Sequence, residues 1–319
     1  MSIVLVSGPS GFVGSHVLPE LIAGGHRVVA LVRSDRASEL VLHRLEPAAR
    51  GAVELRRGDV TRPETLPAVL AGVDAVVHLV AIARDRTGGA DLRRVNTEGT
   101  RNILEAATAA GVRRFVHLGG LGIEDNPLLR FASSKAQAER LVAASGLDWT
   151  ILKPSLLWGE GDGFFNIIAD LVRRSPGVVP VPGDGTARFQ PLAVTDLARI
   201  IRLSIERPET VGRAYEIGGP RAWTYREITR EVVTALGARR AIVPLPVPLI
   251  RLAAGTAERL GIPFPVATDQ LRQLRLDNVG PLDAVERGFG FAPRAMEGQL
   301  GYLRRPKRRA GAGLTRPGR

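Results

Sequence analysis

Through its first half this chain alternates short apolar runs with stretches whose apolar positions recur at helical spacing. Residues 3–6 are continuously apolar, and Phe12, Val13, Val17, Leu18, Leu21 and Ile22 then return every three to four residues. The first pattern reads as a buried strand and the second as a helix. The same reading predicts strands at 3–6, 27–32, 52–56, 74–80, 113–118 and 148–153. It predicts helices near 12–23, 37–46, 64–71, 91–110 and 134–144. Strands and helices in strict alternation imply an α/β chain with a doubly wound parallel sheet covered on both faces. Runs such as Ala75, Val76, Val77 suit strands buried on both sides.

After residue 154 the rhythm changes, and Pro176, Pro180, Pro182, Gly183 and Gly185 crowd together. A helix near 194–206 and a strand near 213–217 are expected to return to the sheet. Stretches at 224–236, 247–260 and 281–288 read as separate helices. The expected organisation is a nucleotide domain over 1–154 joined by 187–219, a smaller and mostly helical lobe from 155–186 and 220–303, and a tail at 304–319. The cleft between the lobes, at the carboxyl ends of the strands, is the expected ligand site. Apolar Ala81, Ile82, Leu121, Phe131, Leu156, Leu157, Trp158, Phe164 and Phe165 are its expected lining, with Arg84, Arg188 and Gln190 at the edge; the same apolar residues could instead fill the core between the lobes. The stretch 241–260 either covers a core or lies on a membrane surface.

Between the first strand and the first helix stands GPSGFVG, residues 8–14. Glycines at 8, 11 and 14 let the backbone turn tightly, approach a pyrophosphate and pack the helix on the strand. The free N–H groups of the helix start then face the phosphates. In that strand–turn–helix setting the triplet indicates a dinucleotide site of Rossmann type built on Gly8, Ser10, Gly11, Phe12, Val13 and Gly14. The second strand ends in Arg33 and Ser34. A basic residue there suits the 2′-phosphate of NADP(H), where a carboxylate would suit NAD(H); Arg33 and Ser34 favour NADP(H), Asp35 close by argues for NAD(H), and Arg33 is alternatively an ordinary surface arginine. Asp59, followed by Val60, either meets the adenine or caps its own turn. Leu79, Val80 and Ala81 follow the fourth strand beside the expected ribose. His78 is either an acid–base group or a hydrogen-bonded core histidine.

Composition narrows the picture further. The 319 residues contain no cysteine, which excludes disulfide and thiolate chemistry. No uninterrupted apolar stretch reaches membrane-spanning length, and a strand at residue 3 leaves no room for a signal peptide, so a cytoplasmic protein is expected, with peripheral attachment to the inner membrane face as the alternative. The net charge is +12, but seven of the basic residues lie in 304–319, which has no acid; the remainder carries +5. Nucleic acid is therefore a poor partner for this chain, because the basic segment has no recognition module. Of 44 basic residues only Lys135, Lys153 and Lys307 are lysine. In such a chain an internal lysine marks a place where a compact ammonium fits and a guanidinium does not. No metal site is expected.

These motifs together resemble the short-chain dehydrogenase/reductase superfamily in its extended and atypical branches. The resemblance rests on GPSGFVG, on GDV at 58–60, VNTEGTRN at 95–102, RRFVHL at 113–118 and SSKAQAE at 133–139. It continues through WTILKPSLLWGEGDG at 149–163, RFQPLAVTDLA at 188–198 and YEIGG at 215–219. Within that superfamily the sequence looks most like the nucleotide-binding accessory subunit of respiratory complex I and its bacterial relatives. The resemblance implies that Lys135 holds the nicotinamide ribose, that Asn96 supports the lysine, and that Pro154 and Ser155 meet the carboxamide. It also implies a tyrosine four residues before the lysine and a serine after the fifth strand, which together move a proton to the substrate oxygen. Here Phe131 stands at the first position and Gly119 and Gly120 at the second. The expectation is an NADP(H)-binding protein with a structural, assembly or sensing role and a respiratory-complex or membrane-surface partner. An NADPH-dependent reductase or epimerase-like enzyme acting on an apolar carbonyl or quinone-like substrate through Lys135 is one alternative. A redox-sensing regulator is the other.

Overall fold

A computed structural model describes residues 1–83, 85, 87–126, 129–246, 248 and 277–304. Seven parallel strands form the central sheet: β1 (Ile3–Ser7), β2 (Arg27–Val32), β3 (Val53–Arg57), β4 (Ala75–His78), β5 (Arg114–Leu118), β6 (Asp148–Pro154) and β11 (Arg213–Ile217). Their order is β11-β6-β5-β4-β1-β2-β3. The strand order reverses between β1 and β4, and in open α/β sheets such a switch point is where ligands bind, outside the carboxyl ends of the strands. The fold class expected from periodicity is the one observed, and the strand near 213–217 pairs with β6 as the pattern predicts.

Alternation along the strands divides the core. Val4, Val6, Val77, Val116 and Leu152 face α1 (Phe12–Ala23), α2 (Asp35–Arg44) and α8 (Val194–Glu206). Leu5, Val76, Phe115 and Ile151 face α3 (Leu66–Leu70), α5 (Gly99–Ala109) and α6 (Arg130–Ala143). Each buried side chain of this size contributes about 1.5–3 kcal/mol of transfer free energy.

A second cluster, centred on Trp158, Phe165, Phe189, Tyr225 and Met296, lies outside the sheet. It joins α7 (Phe164–Arg174) and α9 (Tyr225–Ala235) to β8 (Val178–Pro182), with β7 (Leu157–Trp158), β9 (Arg188–Phe189) and β12 (Trp223–Thr224) at its margin. β10 (Leu192–Ala193) pairs with β7, and β13 (Ala241–Leu245) pairs in parallel with β8. The first residues of the 241–260 stretch are thus a strand; residues 249–260 and the tail from 305 lie outside the described residues. The helix expected at 281–288 is the shorter α10 (Ala284–Phe289), whose Phe289 packs on Tyr215.

Two helices differ from expectation. The one predicted over 91–110 is broken: a short α4 (Ala90–Leu92) runs into a π-helical turn, Arg93–Glu98, before α5. The one predicted from 134 begins at Arg130, so Phe131 and Lys135 lie one turn apart on α6.

Candidate nucleotide site

The glycine turn leaves β1 and enters α1 at the switch point. Gly8 has φ +73°, a conformation that favours glycine, and it faces the backbone of Leu79 and Val80 beyond β4. A methyl at Gly14 would lie 2.7 Å from Cα of Pro9, so the helix packs on the turn only without a side chain. Arg44 of α2 donates to the carbonyls of Ser10 (2.8 Å) and Gly11 (3.3 Å), bracing the loop from outside. The Gly11 cap of α1 has no side-chain hydrogen bond, and the first turn, which opens with Phe12 and Val13, contains no acid. Nothing within the helix therefore offsets the positive end of its dipole, which suits a phosphate.

At the end of β2, Arg33 is exposed, and no carboxylate among the described residues pairs with it. Asp35 is held by Arg57 instead. Ser34 caps α2, its Oγ accepting from the N–H of Ala37 (3.3 Å). Asp59 accepts from both the N–H and the hydroxyl of Thr61 at 2.8 Å, closing its own turn. Val60 is buried against Gly99, where a methyl would approach to 2.9 Å.

Beyond β4 the chain is fixed by Asn96, which the π turn swings toward it. Asn96 Oδ1 accepts from the N–H of Ile82 (2.8 Å), and its Nδ2 donates to the carbonyl of Ile82 and the hydroxyl of Ser134, both at 3.0 Å. Leu79, Val80 and Ala81 are thereby held above the sheet edge facing Gly8. His78 is a core histidine: Nδ1 meets Ser7 Oγ at 2.7 Å and Nε2 meets Thr100 Oγ1 at 3.1 Å. Burial first, and the Lys135 charge second, hold its pKa down at about 3. His117 stacks on it at 5.6 Å and is held neutral by the same causes.

Lys135 is 5% exposed and donates from Nζ to the carbonyl of Leu118 at the end of β5. Burial lowers its pKa to about 8, against a raising influence from Glu139. Glu139 lies one turn further along α6, and the sequence reading passed it over. Its Oε2 is 3.2 Å from Lys153 Nζ, and its Oε1 accepts from the N–H of Gly120 at 3.3 Å. The same Oε1 fills the space that any side chain at Gly119 would enter. The position that resemblance gives to a serine is therefore occupied by a carboxylate from α6. The sequence signals were the i, i+4 spacing of Lys135 and Glu139 and the scarcity of lysine.

The remaining expected residues are scattered. The carbonyl of Pro154 accepts from Leu121 N–H (3.0 Å), and Ser155 N–H donates to Ile217. The hydroxyl of Ser155 donates to the carbonyl of Asn278 at 2.8 Å and accepts from Gln190 N–H at 3.0 Å. Trp158 and Phe165 belong to the second core rather than to a cleft wall, and Gln190 is fully buried, donating to Gly219, so it is not an edge residue. Arg188 is exposed and pairs with Asp277 at 2.6 Å; Arg84 lies outside the described residues. Among the described residues no His, Asp and Glu cluster could hold a metal, and no helix is long and apolar enough to cross a membrane.

A protein family described as NAD(P)H-binding matches residues 8–172. A ceramide reductase of Caulobacter vibrioides is 31% identical over 256 residues, covering 79% of this chain and 76% of its own. The NADH dehydrogenase (ubiquinone) 1 alpha subcomplex subunit 9, mitochondrial, of Arabidopsis thaliana is 25% identical, covering 88% and 69%. The dTDP-glucose 4,6-dehydratase of Streptomyces venezuelae, solved with NAD and TYD bound, superimposes with a TM-score of 0.71 at 24% identity, covering 95% and 96%.

Proposed function

The chain belongs to the NAD(P)H-binding family, in the extended branch of the short-chain dehydrogenases/reductases, and from that premise we propose that it binds NADP(H) as a structural, assembly or sensing ligand rather than as the coenzyme of a tyrosine-driven dehydrogenase. The observation that carries this reading is the pair on α6. Lys135 is buried with its ammonium on the Leu118 carbonyl at the end of β5, while the side chain one turn earlier is the phenyl ring of Phe131. A ring without a hydroxyl has no proton to give, and loss of a positioned acid typically costs about 10²–10⁴ in rate.

In this reading the pyrophosphate lies over Gly8–Gly14, Arg33 meets the 2′-phosphate, Val60 and Leu79–Ala81 flank the adenosine and ribose, and Ser155 lies near the carboxamide. Binding to the folded state alone stabilises that state by about 2.7 kcal/mol at a hundredfold excess over Kd. A partner that recognises the ordered cleft then senses occupancy. The Arabidopsis relative, named as a subunit of a respiratory enzyme, supports a partner of that kind. Titration of the purified chain with NADPH tests the reading: binding in the micromolar range is expected, with no turnover of simple ketones.

A second reading is favoured by the lowered pKa of Lys135 and by the Caulobacter relative being named a reductase. Bound NADPH supplies a hydride to a carbonyl carbon. Nζ of Lys135 would give its proton to the carbonyl oxygen as the hydride arrives. An apolar ketone or quinone-like substrate suits the surroundings of Leu121 and Phe131. Turnover that disappears in Lys135→Ala would select this reading over the first.

A further inference from the structure

Of the three lysines in the chain, one holds the Glu139 carboxylate and a second lies one helical turn from it. Lys135 and Glu139 share a face of α6 at i, i+4, and Lys153 reaches the same carboxylate from β6, next to β5 in the sheet. The contacts are unequal. Glu139 gives Oε2 to Lys153 and Oε1 to the Gly120 N–H, and Lys135 turns instead to the Leu118 carbonyl. The carboxylate cannot swing aside freely, because those two contacts pin both oxygens in the volume above Gly119. Lys135 and Glu139 are almost sealed from solvent, whereas the Lys153 side chain is 22% exposed. Lys153 also lines a groove of about 530 Å³ at the β11 edge of the sheet, together with Arg213, Glu216 and Arg287.

We propose that Glu139 is a positioning residue whose charge is divided between the two lysines, so that Lys153, from the groove, sets the protonation of Lys135 in the nucleotide site. The inference deepens the reading of Lys135 given above and rests on it for its functional meaning. While Lys153 holds Glu139, the carboxylate offsets only part of the burial of Lys135, whose Nζ bonds the Leu118 carbonyl. When Lys153 is drawn away, the carboxylate charge acts on Lys135 alone and favours the ammonium. The other groups around Lys135 do not compete: His78 on β4 and His117 on β5 are neutral, and Asn96, Thr97, Thr100 and Ser134 carry no charge. On the groove side Lys153 faces Glu216, its register partner on β11.

Three lysines make the test direct. The full chain labelled with ε-¹³C-lysine gives three titrating signals, assigned with Lys135→Met, Lys153→Met and Lys307→Arg. In the wild type the Lys135 signal is expected to titrate well below an ordinary lysine, near 8. Glu139→Gln keeps the shape and removes the charge, and should move the Lys135 midpoint down by about half a unit or more. Lys153→Met frees the carboxylate and should move it up by a similar amount. Opposite directions are the signature of a shared charge; a purely structural contact would move both variants the same way. Equal-direction shifts, or no shift in either variant, overturn the proposal. If Glu139→Gln fails to fold, Lys153→Met decides alone: an upward shift supports the proposal and an unchanged midpoint overturns it. The titration needs no nucleotide, so a failure to bind NADPH would sink the proposed function without altering this result.

Discussion

Oδ1 of Asp35 lies 2.7 Å from Nη1 of Arg57, so the carboxylate beside Arg33 is already paired, from the first turn of α2 to the end of β3. Both side chains are exposed, and such a pair contributes little to stability. Its relevance is to recognition: an unpaired Asp35 would repel a 2′-phosphate, and Arg57 offsets that charge. Arg33→Ala should weaken NADPH binding by about tenfold, equivalent to about 1.4 kcal/mol, and leave NADH binding unchanged. Arg57→Ala should act in the same direction and more weakly. Calorimetric titration with both nucleotides distinguishes this from a general loss of affinity, in which NADH would weaken equally.

Gly14→Ala places a methyl 2.7 Å from Cα and 2.8 Å from the carbonyl carbon of Pro9. Both are backbone atoms, so either α1 or the turn must move. Overpacking of this kind costs about 1–3 kcal/mol. The expected outcome is a clear drop in melting temperature together with loss of NADPH binding. Gly11→Ala meets only the Gly8 carbonyl at 3.3 Å and should be the milder change. Similar effects of the two substitutions in thermal melts would contradict the packing argument.

Lys135 should be a cost to the fold in the absence of nucleotide. Its pKa falls from 10.5 to about 8 on folding, so between those values the unfolded chain binds more protons than the native one. Stability should therefore rise with pH from about 8 upward, and below 8 the full penalty applies, roughly 3 kcal/mol at 1.36 kcal/mol per unit. Lys135→Met removes the penalty and also leaves the Leu118 carbonyl without its donor, an opposing cost of about 1 kcal/mol. Urea melts at pH 7 should show the variant about 2 kcal/mol more stable without ligand, while NADPH no longer raises its midpoint. A less stable variant would mean that the ammonium is better compensated than its surroundings indicate.

The stacked histidines predict acid sensitivity. His78, at about 3, and His117, lowered by the same burial, stay neutral in the native state while the unfolded chain protonates below about 6.5. Stability is then full above that pH and falls as the solution is acidified, by up to about 1.4 kcal/mol per pH unit for each ring. Neither nitrogen of His117 has a hydrogen-bond partner among the described residues. His117→Leu should accordingly be tolerated at pH 7 and should roughly halve the acid slope in chemical denaturation. An unchanged slope would remove His117 from the account.

Much of this was legible in the sequence because the central strands β1, β2 and β4 carry apolar runs and two helix ends carry a glycine, Gly25 (φ +81°) after α1 and Gly111 (φ +75°) after α5. The start of α6 was not, because Ser133 and Ser134 look like capping residues. In the fold Ser134 sits inside the helix and bonds back to the carbonyl of Phe131 at 2.8 Å. The π turn at Arg93–Glu98 was not legible because a single wide turn is too short to set a period of its own, and such turns are rare. Trp158 and Phe165 could line a cleft or fill a core equally well by composition, and only packing against Phe189 and Tyr225 decides between them. The Glu139–Lys153 pair joins a helix to a strand, a meeting that only the tertiary fold creates.

The central claim is that a complete NADP(H) cradle survives around Lys135 without a proton-donating phenol. Isothermal calorimetry of the full chain with NADPH and with NADH, run beside Lys135→Met, tests it most directly. Micromolar NADPH binding, about tenfold or more weaker NADH binding, and loss of NADPH affinity in the variant are predicted. No binding of either nucleotide, or NADPH affinity unaltered by the substitution, would contradict it.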